Sequence, residues 1–192
     1  MPGKLRKLLP VILGVVLFAG VGYATYRIVM VNRNYPAPAT YIYDMGQEIQ
    51  GGTLSLVATR TRLIGAAELK TIAPDYQDRV GAEGQSKVLL VDLEITNSSA
   101  DQAAVSLVGI SAQSRAWSND AELDLLIDLN DRFQNGQLLL DPQSTTTARL
   151  AYSLYDFQFA TKDEWAQVGR RPFELVLSLY PNKNIALLNL ED

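Results

Sequence analysis

The chain has 192 residues, 47% of them hydrophobic, and its 17 basic and 21 acidic side chains give a formal net charge of −4. It contains neither cysteine nor histidine. That composition excludes disulfides, thiolate and imidazole metal sites, Ser-His-Asp triads and Cys-His pairs. A lipid-modified N-terminal cysteine is excluded for the same reason.

The N-terminal segment Leu8–Tyr26 contains no charged residue. A helix of this length is about 28 Å long, close to the hydrocarbon thickness of a bilayer. Basic residues precede the segment, and Arg27 is followed by more apolar residues up to Val31. We therefore predict a basic cytoplasmic stub and a transmembrane signal anchor over residues 1–31, with residues 8–31 in contact with membrane lipid. The alternative is a signal peptide cleaved after Gly20-Val21-Gly22 or after Gly22-Tyr23-Ala24.

Charge is distributed unevenly along the chain. No acidic residue precedes Asp44, and four basic residues lie at or before Arg27, so the remainder has 17 − 4 = 13 basic and 21 acidic residues and a net charge of −8. An acidic surface does not suit the phosphate backbone, so no nucleic-acid partner is predicted. By the positive-inside rule the N-terminus is cytoplasmic and the C-terminal domain extracellular, in a single-pass protein of the cell membrane. A cysteine-free exported domain also favours a Gram-positive source.

The segment after the anchor contains Pro36 and Pro38, which favour an extended chain. We predict a stalk over residues 32–46, with an irregular first edge strand as the alternative, and one extracytoplasmic domain over residues 47–192. Short segments rich in β-forming residues and separated by turn signals follow one another through this domain. They lie at residues 53–63, 87–96, 103–112, 138–140, 145–154, 173–180 and 185–190.

The segment Lys87–Thr96 is the clearest predicted strand. Its first half is apolar on both faces, whereas in its second half apolar and polar residues alternate. The first half is therefore expected to be covered on two sides and the second half on one. Seven such strands predict an all-β fold, an antiparallel immunoglobulin-like β-sandwich preceded by one N-terminal transmembrane helix.

Three other segments have different signals. Gly65–Gly84 is predicted to be a long connection with a helical turn near Ala66–Lys70. Ser118–Asn130 is ambiguous between helix and strand. As a helix it would be capped by Asn119 or Asp120, and Leu123, Leu126 and Ile127 would share a face. We favour a short helix or turn that gives way to a strand. Thr161 with Glu164 three residues later has the pattern of a capping box and predicts a short helix over 161–168.

Two blocks resemble a known family. KVLLVDLEITNSS at 87–99 and LLLDPQSTTTARLAYSLYD at 138–156 are similar to blocks of the uncharacterised exported, signal-anchored immunoglobulin-like (telokin-like) domains of Gram-positive bacteria. The resemblance spans about Gln47–Tyr180 and implies the fold and an exported location. Gln143 departs from it, since the family often has glycine after the proline of the second block. No functional residue is implied.

Carboxylates are the only chemical groups that cluster. Glu122, Asp124, Asp128 and Asp131 lie close together, but their spacing is not that of an EF-hand loop. A solvated acidic face is favoured over a metal site, and no cofactor is predicted. Asp92 and Glu94 share a strand face, where they are more often the wet side of a sheet than the carboxylate pair of a wall hydrolase. We therefore predict that the protein is not an enzyme.

The function predicted from these features is a membrane-anchored extracytoplasmic interaction module that binds another envelope or secreted protein. The long connection 65–84 and the acidic segment 120–131 are the candidate surfaces, the latter for a basic partner. The alternative is binding of cell-wall polymer through exposed tryptophans, although aromatic residues of a sandwich more often pack. The candidate interaction residues are Trp117, Asp120, Glu122, Asp124, Asp128, Asp131 and Trp165.

Overall fold

The computed structural model describes residues 2–74, 76 and 84–191, with side chains from Leu13 onward. The chain divides into two compact units, Met1–Pro38 and Ala39–Asp192. The first unit is one long helix, α1 (Pro2–Asn34). From Leu13 to Asn34 this helix is long and apolar enough to cross a membrane, by length and composition, and none of that stretch is buried within the protein.

The second unit consists of β-strands and a few short helices. Its described strands are β1 (Ala39–Tyr43), β2 (Ile49–Gly51), β3 (Leu54–Gly65), β4 (Ser86–Asn97), β5 (Ala103–Ser106), β6 (Ser111–Ser114), β7 (Trp117–Asp120), β8 (Phe133–Gln134), β9 (Gln137–Leu140), β10 (Ser144–Tyr155), β11 (Phe173–Ser178) and β12 (Asn182–Leu188). Its described α-helices are α2 (Ala66–Ile72), α3 (Leu123–Leu129) and α4 (Lys162–Ala166), and 3-10 turns lie at Asp156–Gln158 and Val168–Arg170.

These strands form three sheets. One has five strands in the order β1-β12-β11-β6-β7, one has four in the order β10-β4-β3-β2, and a small one has three in the order β5-β9-β8. All pairs are antiparallel except β1 with β12, which run parallel. The predicted all-β sandwich is thus confirmed, with one parallel pair at the edge of the larger sheet.

One apolar cluster lies between the sheets. It joins Leu89, Val91 and Leu93 of β4 to Phe173 and Leu175 of β11, and the small sheet also contributes to it. A second, smaller cluster lies on the other face of the four-stranded sheet, beneath α2 and α3. The sandwich therefore has a main core and a local outer layer.

Strand β4 shows both environments, as its sequence predicts. Val88, Leu89, Leu90 and Val91 are all buried, whereas from Asp92 onward buried residues alternate with half-buried or exposed ones. The helices of the outer layer cover only the first half of the strand. The two-sided apolar pattern therefore indicates where the second layer lies.

The sandwich begins earlier than predicted. Ala39–Tyr43, part of the predicted stalk over residues 32–46, forms β1 and pairs in register with Asn182–Ala186, and α1 extends to Asn34. The prolines Pro36 and Pro38 thus lie in a short connection between helix and strand. The predicted alternative, a first edge strand, describes this segment better.

Two other predictions were wrong in detail. Residues 103–112 form two strands in different sheets, because the chain turns at Gly109, whose φ is +89°. In the segment 118–130 the strand comes first and the helix second, and Glu122 rather than Asn119 or Asp120 occupies the N-cap. Most of the connection after Ala73 lies outside the described residues.

Candidate interaction surface

The acidic segment is displayed by the end of β7 and by helix α3. Leu125 and Leu126 point inward and are fully buried, Leu126 in the main core and Leu125 in the outer cluster. Asp124 lies in the first turn of the helix, where a negative charge favours the helix dipole. Two adjacent buried leucines therefore fix which side of α3 faces solvent.

Asn130 ends α3 and ties it to the sheet. Its Nδ2 donates to the carbonyl oxygens of Leu126 and Arg149, both at 2.9 Å, and its Oδ1 accepts from the backbone N–H of Arg149 at 2.7 Å. The side chain is 5% exposed. The Asn130 amide thus forms hydrogen bonds with backbone groups at the free edge of β10. Without it these groups would have no hydrogen-bond partner.

The outer side of α3 carries two exposed aliphatic side chains. Leu123 is 51% exposed and Ile127 is 55% exposed, and residues four apart are neighbours on one face of a helix. The predicted shared face of Leu123, Leu126 and Ile127 was therefore wrong, because Leu126 is the member that packs inside. Sequence reasoning missed this exposed pair, since any leucine on a short helix is first assigned to the core.

Acidic residues precede and follow this pair in the sequence. Asp120, Asp128 and Asp131 are exposed and Glu122 is half-buried, and none of the four forms an ion pair with another described residue. Asp124 is half-buried. In the described part of the chain no group of three or more potential metal ligands occurs. We name Leu123, Ile127 and these acidic residues the α3 surface.

Trp117 does not belong to any surface. It is 6% exposed, its ring meets that of Phe173 edge-on at 5.8 Å, and its Nε1 donates to Gln158 Oε1 at 3.1 Å. The prediction of Trp117 as an interaction residue was therefore wrong. Its position on β7, at the start of a short hairpin over the core, buries it.

Trp165 lies partly exposed on α4. Its Nε1 donates to the carbonyl oxygen of Gly84 at 2.8 Å, its ring packs on Phe159, and Lys87 Nζ lies 5.1 Å from the ring centroid. Thr161 caps the helix as predicted, because its Oγ1 accepts from the Glu164 N–H at 3.1 Å. The ring lines an open groove of about 370 Å³ together with Phe157, Phe159 and Lys162.

The two carboxylates of β4 differ in their partners. Asp92 is held by Arg149, whose Nε and Nη2 donate to its two oxygens at 2.7 and 3.2 Å. These hydrogen bonds raise the pKa of Arg149 above its ordinary value. Glu94 is exposed on the same strand. Asp92 is thus engaged by a guanidinium on the outer face of the sheet, as expected of a wet sheet face.

Comparison with known proteins shows the family. Residues 42–184 match the model of the domain of unknown function DUF5028, and the chain belongs to this family. The matched range contains both large sheets except for residues 39–41 of β1 and residues 185–188 of β12. A comparison with curated proteins gives no match.

Solved structures similar to this chain include proteins from Gram-positive bacteria, two of them of unknown function. One is a β-sandwich protein from Clostridium difficile, with 12% identity and a TM-score of 0.46 over 78% of this chain and 96% of that one. Another is a functionally unknown protein from Listeria monocytogenes, with 12% identity and a TM-score of 0.47 over 76% and 82%. The yjhA protein from Bacillus subtilis has 10% identity and a TM-score of 0.44 over 77% and 99%.

Proposed function

We propose that the protein is a non-enzymatic, membrane-anchored interaction module, which binds a basic segment of another envelope or secreted protein through the α3 surface. In this proposal α1 is an uncleaved signal anchor with its N-terminus in the cytoplasm, and the sandwich is extracellular. The protein would then be one of the exported immunoglobulin-like (telokin-like) proteins of Gram-positive bacteria. The apolar N-terminal helix behind a basic stub supports this location.

The observation that carries the proposal is the combination of exposed aliphatic side chains on α3 with the exposed carboxylates of Asp128 and Asp131. Leu123 and Ile127 offer an apolar centre, and Asp128 and Asp131 lie beside it without a basic partner among the described residues. Interfaces commonly combine an apolar centre with a polar rim. Complementary charge would come from lysine or arginine side chains of the partner and would speed encounter.

The test is quantitative capture of the partner by full-length protein in mild detergent. Leu123→Ser with Ile127→Ser, and separately Asp128→Asn with Asp131→Asn, should each reduce the captured amount at least about tenfold, the effect of losing ~1.4 kcal/mol. The carboxylate variant should also make capture less sensitive to salt, because exposed charges are screened within about 10 Å. Neither variant should change the unfolding transition, since these side chains are exposed.

Matched controls lie elsewhere on the same domain. Val108→Ser changes an exposed aliphatic residue, 56% exposed, and Asp101→Asn removes an exposed carboxylate. Both controls should retain the partner. A partner retained by the α3 variants, or lost equally from the controls, would refute the α3 surface as the binding site.

A second candidate function is binding of a cell-wall polymer in the groove beside α4. The observation that favours it is the exposure of Phe157, 79%, at the rim of the groove that Trp165 and Phe159 line. Aromatic faces are suitable platforms for sugar rings. Binding of the protein to purified wall material should then weaken in Phe157→Ala and Trp165→Ala, and unchanged binding in both would exclude this function.

A further inference from the structure

A small cavity of about 90 Å³ is lined by Arg115, Glu164, Gln167, Arg170 and Arg171. These residues come from the β6–β7 hairpin, from α4 and from the segment that follows it. Three guanidinium groups and one carboxylate give the lining a charge of 3 − 1 = +2. The chain beyond Arg27 has a net charge of −8, so this concentration of positive charge is local.

Arg171 is the fixed member of the group. Its Nε donates to Ser114 Oγ at 3.3 Å and its Nη2 to the Ser114 carbonyl oxygen at 3.1 Å. Its guanidinium also lies 5.1 Å from the centroid of the Phe159 ring. A guanidinium has five N–H donors, so these contacts hold the group in place and leave donors for a ligand.

Arg115 and Arg170 have no such partners. Neither forms an ion pair or a side-chain hydrogen bond with another described residue, and both are exposed. Glu164 does not neutralise them by direct contact, because its Oε2 accepts from the backbone N–H of Ala160 at 3.1 Å. Two unpaired guanidinium groups beside one anchored group give a cluster of positive charge that favours an anion.

The hairpin turn fixes the backbone conformation of Arg115. Its φ is +53°, in a two-residue turn between Ser114 and Trp117. Such turns require a positive φ, and glycine, asparagine and aspartate are the usual residues there. In this turn the residue is an arginine, and its side chain lines the cavity.

We propose that this cavity binds a phosphoryl group. A phosphate monoester offers three strong acceptor oxygens, one for each guanidinium, whereas a carboxylate offers two. The volume is several times that needed to hold a single water molecule, so it admits a tetrahedral oxyanion. Gln167 adds a neutral amide donor. This site is separate from the α3 surface and does not depend on the function proposed for it.

The experiment is titration of the full-length protein with inorganic phosphate at constant ionic strength, in a maltoside detergent that contains no phosphate. Binding is followed by calorimetry and by the backbone amide NMR signals of residues 164–171. Saturable binding is expected. Arg115→Gln and Arg170→Gln should each weaken it about tenfold or more, the effect of losing a hydrogen bond to a charged group.

Two further variants are expected to affect phosphate binding differently. Lys70→Gln removes one exposed positive charge elsewhere on the domain and should leave binding unchanged. Glu164→Gln keeps an acceptor for the Ala160 N–H but removes the only negative charge of the cavity, and it should tighten binding. Absence of saturable binding, equal weakening in Lys70→Gln, or weaker binding in Glu164→Gln would overturn the proposal.

A second arm identifies the source of the phosphoryl group. Glycerol 3-phosphate is added free in solution, or the same phosphate monoester is presented as the headgroup of phosphatidic acid in nanodiscs that hold the protein. Shifts of the same amide signals with the free ester indicate a soluble ligand, and shifts only in the nanodiscs indicate a lipid headgroup. If neither probe moves these signals, a phosphate ester is not the ligand and the proposal fails.

Discussion

The two faces of the four-stranded sheet are built from the same strands but are stabilised differently. The inner face packs an apolar cluster against the five-stranded sheet, with Leu89, Val91 and Leu93 all 0% exposed. The outer face is covered only in part, over Leu90 and Ala151. Beyond that cover it carries the Asp92–Arg149 ion pair in partial contact with solvent.

This difference separates the face that supplies most of the stability from the face that carries the proposed binding surface. Apolar burial contributes most of the folding free energy and is concentrated on the inner face. The outer layer consists of short helices, and α3 is tied to β10 through the Asn130 amide as well as through packing. The solvent side of α3 is therefore free to vary for binding without weakening the main core.

The strongest way to test this contrast is to truncate one leucine on each face of β4. Leu93→Ala should lower the free energy of unfolding by about 2–5 kcal/mol, because it opens a cavity in the main core. Leu90→Ala, 2% exposed on the outer face, should have a smaller effect because the short α2 can settle into the space. Urea unfolding followed by tryptophan fluorescence measures both, since both tryptophans lie in the sandwich. Equal losses would show that the two faces contribute alike.

A smaller effect is expected for the polar attachment of α3. Asn130→Ala removes three hydrogen bonds and leaves backbone groups of Arg149 without partners, which should cost about 2 kcal/mol. Asn119→Ala is the matched control, because its Nδ2 makes one hydrogen bond, to the Ser153 carbonyl oxygen at 2.6 Å, and about 1 kcal/mol is expected. The same urea unfolding curves decide this. If Asn130→Ala were no more costly than Asn119→Ala, apolar packing alone would hold the helix.

The smallest effect concerns a buried hydroxyl group on the inner face. Tyr152 donates its hydroxyl to the Ile110 carbonyl oxygen at 3.2 Å, so Tyr152→Phe should cost about 1 kcal/mol at neutral pH. Burial, and secondarily the charge of Asp120, raises the pKa of Tyr152 well above its ordinary value. The unfolded chain therefore loses this proton at lower pH than the folded one, and stability falls as pH rises above about 10.

The difference between the wild type and Tyr152→Phe should accordingly shrink as the pH is raised from 9 to about 11, as measured by thermal unfolding. Tyr180→Phe, at a side chain 66% exposed, provides the control that also removes one tyrosine but leaves the core intact. A difference that stays constant with pH in Tyr152→Phe would show that this hydroxyl does not titrate differently in the two states.

Much of the fold follows from local signals in the sequence. The alternation in β10 puts Ala148, Leu150, Tyr152 and Leu154 on one face, and all four are fully buried. Asn135 and Gly136 both have positive φ, as the turn between β8 and β9 requires. Both features follow from the sequence because a two-residue period or a turn dipeptide depends on the nearest neighbours alone.

The candidate surfaces were harder to predict. Trp117 and Leu123 lie six residues apart, yet the first is buried and the second is exposed. Neither lies in a periodic pattern long enough to predict its burial from the sequence. The burial of these two residues depends on packing against β11 and β10, which come from elsewhere in the chain. For the same reason the arginine cavity escaped notice, because Arg115 and Arg170 are far apart in sequence.

The sequence by itself determined the apolar N-terminal helix, the all-β class and the two-sided burial of the first half of β4, because each depends on hydrophobic pattern along a continuous segment. Only the tertiary structure decided that residues 39–43 are a strand, since β1 exists by pairing with β12. It also decided which side of α3 faces solvent and that three arginines line one cavity. Those features depend on contacts between distant segments, which no local pattern records.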